Sequence, residues 1–326
     1  MRIGVIGGGA WGTALAQVAA AGGEEVLLWA REPEVVESIN AGHENELFLP
    51  GLALSPAIRA VADLTNLAGC EGLLVVAPAQ HLRAVLSALP NSNAALVLCA
   101  KGIEAGTGLL MHEVAHDVRP QAPLAVLSGP TFAHEVAAGL PAAVTLASAD
   151  ALLGERLAAR LARPNFRPYQ SSDVPGAEVG GAVKNVLAIG CGVVDGLGLG
   201  LNARAALISR GFAEMTRFGL AKGARTETLA GLAGLGDLVL TCSSTSSRNF
   251  SLGKGIGEGA RPSDLLSDRK TVAEGAFTAP VLQRAAASLG VDMPIVDAVC
   301  ALLAEQVSVE EVVARLLARP LRPEGV

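Results

Sequence analysis

The sequence predicts an α/β fold: a doubly wound, mainly parallel sheet over residues 1–172, followed by an all-helical domain over 173–326. Three observations carry that reading. Short runs that are apolar on both faces alternate with helical stretches through the first half, as expected for a sheet covered by helices on both sides. A glycine-rich turn joins the first run to the first helical stretch. After "NFRPYQSSDVPG" the texture changes to Ala, Leu, Val and Gly at helical spacing, with no clear strand.

The elements follow in order. "RIGVIG" (2–7), "EVLLWA" (25–30), "GLLVVAP" (72–78), "AALVLCA" (94–100) and "LAVLSGP" (124–130) read as buried strands, and "AAVTLAS" (142–148) adds another. Helices are predicted over 11–22, 33–41, 79–89 and 108–118. In the second half the last helix is marked by a capping box, Ser308-x-x-Glu311, ahead of "VVARLLAR". A length of 326 residues suits two domains.

Gly7-x-Gly9-x-x-Gly12 follows the first strand directly and opens a helix. The first Gly permits the tight turn, the second lets backbone approach a pyrophosphate, and the third lets helix and strand pack closely. The helix N-terminus then faces the phosphates. This strand–turn–helix context makes the first domain Rossmann-like, with Gly7, Gly9, Ala10, Trp11 and Gly12 as candidate dinucleotide contacts. The second strand ends "LLWAREPE", with Trp29 and Ala30 where an acid for the ribose 2′-OH of NAD would stand. Arg31 follows and suits a 2′-phosphate, so NADP is the preferred cofactor and NAD remains possible. A plain solvated arginine flanked by Glu32 and Glu34 is the alternative.

Composition narrows the class. At 51% hydrophobic and 17% charged the chain is core-rich. A net charge of −6 and a pI near 5.5 give no basic field for a nucleic acid. The mean hydropathy of +0.44 invites a membrane reading, but no uninterrupted apolar stretch approaches the ~20 residues of a span; the longest, after Asn185, ends at Asp195. The N-terminus loosely resembles a signal peptide, yet its glycine spacing is better explained by the nucleotide turn. Five scattered cysteines (70, 99, 191, 242 and 300) lack a C-x-x-C pair and read as small buried hydrophobes in a reducing, cytoplasmic setting. "HEVAH" (112–116) matches H-E-x-x-H, with His112 and His116 on one helix face and His134 and Glu135 downstream. Its place on a crossover helix outside the sheet argues against zinc, and no metal is expected.

The second half carries an anomaly. "GAEVGGAVKNVLAIGCGVVDG" (176–196) drops Lys184 into an apolar run with only Asn185 beside it, in a chain where five of 25 cationic residues are lysines. Stranding an ammonium there is costly unless it is paired or neutral. With a dinucleotide in the first domain, Lys184 is a candidate proton donor to a carbonyl oxygen as hydride arrives, its pKa lowered by apolar surroundings. A snorkelling or ion-paired lysine at a domain junction is the alternative. "GLGDLVLTCSSTSSRNF" (234–250) gathers Asp237, hydroxyls, Arg248 and Asn249, donors suited to a phosphate monoester; an ordinary helix N-cap loop with an exposed Arg is the other reading. "CAKGIE" places Lys101 just past a strand end, and "SGPTFAHEVAAGLP" does the same for Gly129 and Thr131, where doubly wound folds bind ligands.

"GGGAWGTALA", "LFLPG", "AKGIE", "SGPTFAHEVAAGLPAAV", "GGAVKNVLAIGCGVVDGLGLGLNARAALISRG", "AGLGDLVLTCSSTSSRN" and "VAEGAFTAPVL", in that order over nearly the whole chain, resemble the soluble NAD(P)-dependent glycerol-3-phosphate dehydrogenases of the bacterial type. The resemblance implies reduction of dihydroxyacetone phosphate to sn-glycerol 3-phosphate, which feeds phospholipid synthesis. It implies Lys184 as proton acceptor and donor, with Lys101, Gly129, Thr131, Asn185, Asp237, Ser247, Arg248 and Asn249 around the substrate. Trp11, Arg31, Phe48, Lys101, Ala133, Arg248, Val272 and Glu274 are implied at the cofactor. Departures are few: a third glycine in "GGGAWG", and Phe250 where the family often has a polar or basic residue, which leaves the phosphate grip open. The apolar helical half is expected to pair as a homodimer. Competing readings are a two-domain dehydrogenase acting on a hydroxy acid, and a catalytically silent nucleotide sensor.

Overall fold

A computed structural model of the protein describes residues 1–267 and 273–318. The six predicted strands form, with two more, one sheet of order β3-β2-β1-β4-β5-β6-β7-β8. The strands are β1 (Ile3–Ile6), β2 (Val26–Trp29), β3 (Ile58–Val61), β4 (Gly72–Val75), β5 (Ala95–Leu98), β6 (Leu124–Ser128), β7 (Ala142–Ala147) and β8 (Phe166–Ser171). All neighbours run parallel except β6 and β7. Five of the six predicted strands, β1, β2, β4, β5 and β6, therefore end on one edge of the sheet. The order reverses between β1 and β4, the switch point at which such folds take ligands.

The two additional strands are both edge strands, and their sequences explain why apolar runs did not mark them. β3 reads "IRAV" with Arg59 exposed. β8 reads "FRPYQS" with one buried residue and Pro168 inside it, a residue that sheets tolerate at edges because it cannot donate to a second neighbour.

Six helices pack with the sheet: α1 (Ala10–Ala20), α2 (Pro33–Gly42), α3 (Leu82–Ala88), α4 (Met111–Val118), α5 (Ala133–Ala137) and α6 (Ala151–Leu161). One core joins Ile3, Val5, Leu15, Leu28, Val97, Leu127, Val144 and Leu157 from strands and helices alike. The remaining helices are α7 (Val174–Gly196), α8 (Gly200–Ala221), α9 (Thr226–Leu229), α10 (Asp237–Thr241), α11 (Arg248–Gly257), α12 (Pro262–Leu266), α13 (Glu274–Ser288), α14 (Pro294–Leu303) and α15 (Val309–Leu317). The predicted capping box of α15 forms: Ser308 Oγ accepts from Glu311 N–H at 3.2 Å, and the Glu311 carboxylate accepts from Ser308 N–H at 3.4 Å.

The chain divides into two compact units, residues 1–101 with 110–177 and residues 102–109 with 178–326. The break after 177 falls near the start of α7, and the short excursion 102–109 groups with the helical unit. Lys222 Nζ donates to the Gly108 carbonyl at 3.5 Å, within that unit. α7 is long and apolar enough to cross a bilayer, but 94% of its most apolar window is buried within the protein. It is a core helix.

Four close backbone contacts join two helices of the helical unit. Gly192 and Gly196 on α7 face Gly253 and Gly257 on α11, each pair at i, i+4. A Cβ at Gly192 would overlap the Phe250 carbonyl, one at Gly196 the Lys254 carbonyl, one at Gly253 the Ile189 carbonyl, and one at Gly257 the Val193 carbonyl. The two helices therefore meet backbone to backbone.

Candidate active site

In the first unit the glycine turn takes the geometry its residues suggest. Gly7 has φ +124°, and a Cβ at Gly12 would overlap the Gly7 carbonyl, so neither position admits another residue without a shift. At Gly9, the N-cap of α1, nothing lies within 4 Å of where a Cβ would stand. The protein's own packing does not require this glycine; an approaching ligand would. No side chain caps α1 and no acid lies in its first turn. Trp11 Nε1 is buried without a hydrogen-bond partner among the described residues. An open glycine, an uncapped helix start and an orphaned donor all fit a dinucleotide diphosphate in this turn.

Other candidates of this unit lie at strand ends. Arg31 follows β2, is exposed, and holds Glu32 Oε1 through Nη2 at 2.9 Å and Nε at 3.2 Å. Phe48 is 36% exposed in the loop after α2. Lys101 follows β5, and its Nζ donates to the Gly129 carbonyl at 3.2 Å; Thr131 Oγ1 donates to the same oxygen at 3.2 Å. Lys101, Gly129 and Thr131 are thus one cluster at the ends of adjacent parallel strands. Ala133 opens α5, which packs on α1. His112 and His116 sit on α4, while His134, on α5, stacks on Phe132 at 6.0 Å. Among the described residues no three His, Cys, Asp or Glu side chains form a metal-binding group.

In the second unit Lys184 is 6% exposed and Asp237 wholly buried. Lys184 Nζ donates to Asp237 Oδ1 at 2.5 Å and to Thr241 Oγ1 at 2.9 Å. Of the two escapes open to a stranded ammonium, this structure takes pairing. The partners are placed by backbone: a π-helical turn, Leu232–Gly236, leads into α10 and sets Asp237 at its start. Such turns recur at functional sites. Thr241 lies four residues on, on the same helix face as Asp237, with Oγ1 3.4 Å from Oδ1. Sequence reasoning passed over Thr241; the i, i+4 spacing to Asp237 was the available signal, hidden by a helix of one turn. Beside the pair are two buried thiols: burial, followed by a hydrogen bond with Cys191, pushes Cys242 well up from its ordinary value.

α11 brings the donors. Ser247 is its N-cap, its Oγ accepting from Phe250 N–H at 3.2 Å, which leaves the hydroxyl proton to donate elsewhere. Arg248 is the first helical residue and exposed. Asn249 Oδ1 accepts from Gly275 N–H at 2.8 Å, so its NH₂ is the end that can meet a ligand. The Asn185 carbonyl adjoins Gly275, 2.5 Å from where a Cβ there would stand. Glu274 opens α13 next to them. Val272 lies outside the described residues. Phe250 turns inward, 2% exposed, with the Arg204 guanidinium 6.0 Å from its ring centroid. A residue facing the core takes nothing from the donors beside it.

Comparison with known proteins agrees along the whole chain. Residues 2–153 match the family described as NAD-dependent glycerol-3-phosphate dehydrogenase N-terminus, and residues 173–314 its C-terminus. A glycerol-3-phosphate dehydrogenase [NAD(P)+] of Sphingopyxis alaskensis is 62% identical over 324 residues, covering 99% of this chain and 98% of that one. One from Erythrobacter litoralis is 64% identical over 323 residues at the same coverage. The crystal structure of glycerol-3-phosphate dehydrogenase from Coxiella burnetii, 39% identical, superposes with a TM-score of 0.93 over 98% of this chain and 99% of that one. With both halves matched and identity above 60%, the chain belongs to the NAD-dependent glycerol-3-phosphate dehydrogenase family.

Proposed function

We propose that this protein reduces dihydroxyacetone phosphate to sn-glycerol 3-phosphate, with NADPH preferred and NADH accepted, supplying the backbone of glycerophospholipids. The observation that carries the reading is the buried lysine held by Asp237 and Thr241 in the same unit as Ser247, Arg248 and Asn249. It joins a proton donor to donors for a phosphate. When bound, the nicotinamide supplies the hydride. Gly9, Trp11 and the first turn of α1 hold the cofactor's diphosphate, and Arg31 exchanges Glu32 for the 2′-phosphate. Lys184, protonated, gives its proton to the substrate's C2 oxygen as that oxygen becomes an alkoxide, and takes it back in the reverse direction. Asp237 holds the lysine's amino group in place; it is a partner for Lys184 and not the proton source. Lys101 supplies a cation beside Gly129 and Thr131 at the strand ends, and Arg248 with Asn249 and Ser247 grips the phosphate.

The Glu32 contact bears on cofactor choice, since a 2′-phosphate must displace a carboxylate from Arg31. The reading extends to a cytoplasmic homodimer, in keeping with five free thiols and with the exposed Leu199, Leu201 and Leu220 of the helical unit; sedimentation at several concentrations tests the dimer.

A hydroxy-acid dehydrogenase would share the fold and could turn Arg248 on a carboxylate instead of a phosphate, so the substrate assay separates the two. The discriminating assay follows NADPH absorbance with dihydroxyacetone phosphate, with unphosphorylated dihydroxyacetone, and in reverse with glycerol or 2-hydroxy acids. Turnover confined to the phosphate ester is expected. Equal rates on the unphosphorylated ketone would refute the phosphate grip, and NADPH binding without turnover on any of them would leave a nucleotide sensor.

A further inference from the structure

We infer that Asn45 is a positioning residue for the cofactor, the clamp that orients the glycine turn and docks the Phe48 loop onto it; the inference rests on the dinucleotide reading above. Asn45 is wholly buried, in the loop after α2. Its Nδ2 donates to the Gly8 carbonyl at 2.8 Å and to Thr13 Oγ1 at 2.8 Å. Its Oδ1 accepts from Phe48 N–H at 3.1 Å, and its backbone carbonyl accepts from Leu49 N–H at 2.9 Å. Both amide protons and the amide oxygen are engaged. Thr13, also wholly buried, has its Oγ1 3.4 Å from the Gly8 carbonyl. A carboxylate could replace only the bond to Phe48, and an apolar side chain none of them.

The need for such a clamp lies in the sequence. Residues 7, 8 and 9 are all glycine, the residue with the most conformational freedom to lose on ordering. A turn of this composition is not held by its own side chains. The Gly8–Gly9 peptide is trans, so fixing the Gly8 C=O toward Asn45 and Thr13 fixes the Gly9 N–H in the opposite sense. That N–H stands at the N-cap of α1, beside the open position at Gly9. Asn45 therefore presets the donor that meets a diphosphate, and through Phe48 N–H it seats the loop implied at the cofactor in the same step. The rest of the loop is tied independently: Glu44 Oε1 accepts from Gly51 N–H at 2.6 Å, and Ser38 Oγ donates to the Glu44 carbonyl at 2.5 Å. Loss of Asn45 should then disturb the turn without dissolving the loop.

The test is NADPH titration of the full-length enzyme by fluorescence, together with steady-state kinetics, for wild type, Asn45→Asp, Asn45→Ala and Thr13→Val. Removing one buried, fully used amide should weaken NADPH binding about tenfold in both Asn45 variants, and about threefold in Thr13→Val. At saturating NADPH, kcat and KM for dihydroxyacetone phosphate should stay within about twofold of wild type. NADPH affinity within twofold of wild type in folded Asn45 variants, or equal losses toward cofactor and substrate, would overturn the inference, because a merely structural residue lowers thermal stability without selecting the cofactor. If the Asn45 variants do not fold, Thr13→Val decides by the same criterion. Wild type that fails to bind NADPH would instead remove the dinucleotide reading itself.

Discussion

At the scale of single residues, Lys184 shows how a charge is kept in a core. Asp237 and Thr241 hold it, and removing Asp237 takes a buried opposite charge from beside the ammonium. Asp237→Asn should therefore cost both stability and activity, whereas Thr241→Val should leave the ion pair and lower kcat about tenfold through a less well directed ammonium. Near-normal kcat in Thr241→Val would remove that hydroxyl from the aiming of the lysine. Arg248→Ala should raise KM for the phosphorylated substrate about 10- to 100-fold with a smaller effect on kcat. An unchanged KM would place the phosphate elsewhere.

These residues differ in how plainly the sequence displays them. Lys184, Asp237 and Arg248 are charges in apolar or hydroxyl-rich runs, and each stands out against its neighbours. Thr241 lies among hydroxyls in "LTCSSTSS", and only the single turn of α10 gives it meaning. Asn45 is a polar residue in a polar loop; its burial comes from long-range packing against Gly8 and Thr13, which no local pattern records.

At the scale of elements, the glycines of α7 and α11 explain why the helix that carries Arg248 and Asn249 sits beside the helix of Lys184. Their backbones are in contact, so a methyl group at Gly253 must push Ile189 and with it α7. Gly253→Ala is expected to lower the thermal midpoint by several degrees and to reduce kcat as the spacing of Lys184 and Asn249 changes, an effect of about 2 kcal/mol by analogy with overpacked cores. A variant with wild-type midpoint and kcat would show that the contact yields without cost. Strand legibility followed the same physics: β1, β2, β4, β5, β6 and β7 carry continuous apolar runs, while β3 and β8, paired on one side only, carry Arg59 and Pro168 and lose the pattern.

At the scale of the whole molecule, stability should depend on pH through Glu214. This buried carboxyl on α8 accepts from Ile295 N–H at 2.7 Å and Val296 N–H at 3.3 Å, capping α14 from another helix. Burial pushes it up from 4.5 to about 7, despite those bonds. A carboxyl raised in the folded state contributes stability that is full below its unfolded value, about 4.5, and lost as pH rises through about 7. The thermal midpoint should accordingly fall between pH 5 and 8 by this contribution, and Glu214→Gln, which keeps an acceptor for Ile295 N–H, should flatten the profile. Parallel profiles for wild type and variant would contradict that assignment.

The glycine turn and the buried lysine belong to different units. Each can be impaired alone. The most direct measurement is single-turnover oxidation of NADPH by saturating dihydroxyacetone phosphate in Lys184→Met, with NADPH affinity determined on the same sample. Loss of the proton donor should slow the hydride step by about 10²- to 10⁴-fold while cofactor affinity stays near wild type. A hydride step at wild-type speed in a folded, NADPH-binding variant would contradict the account.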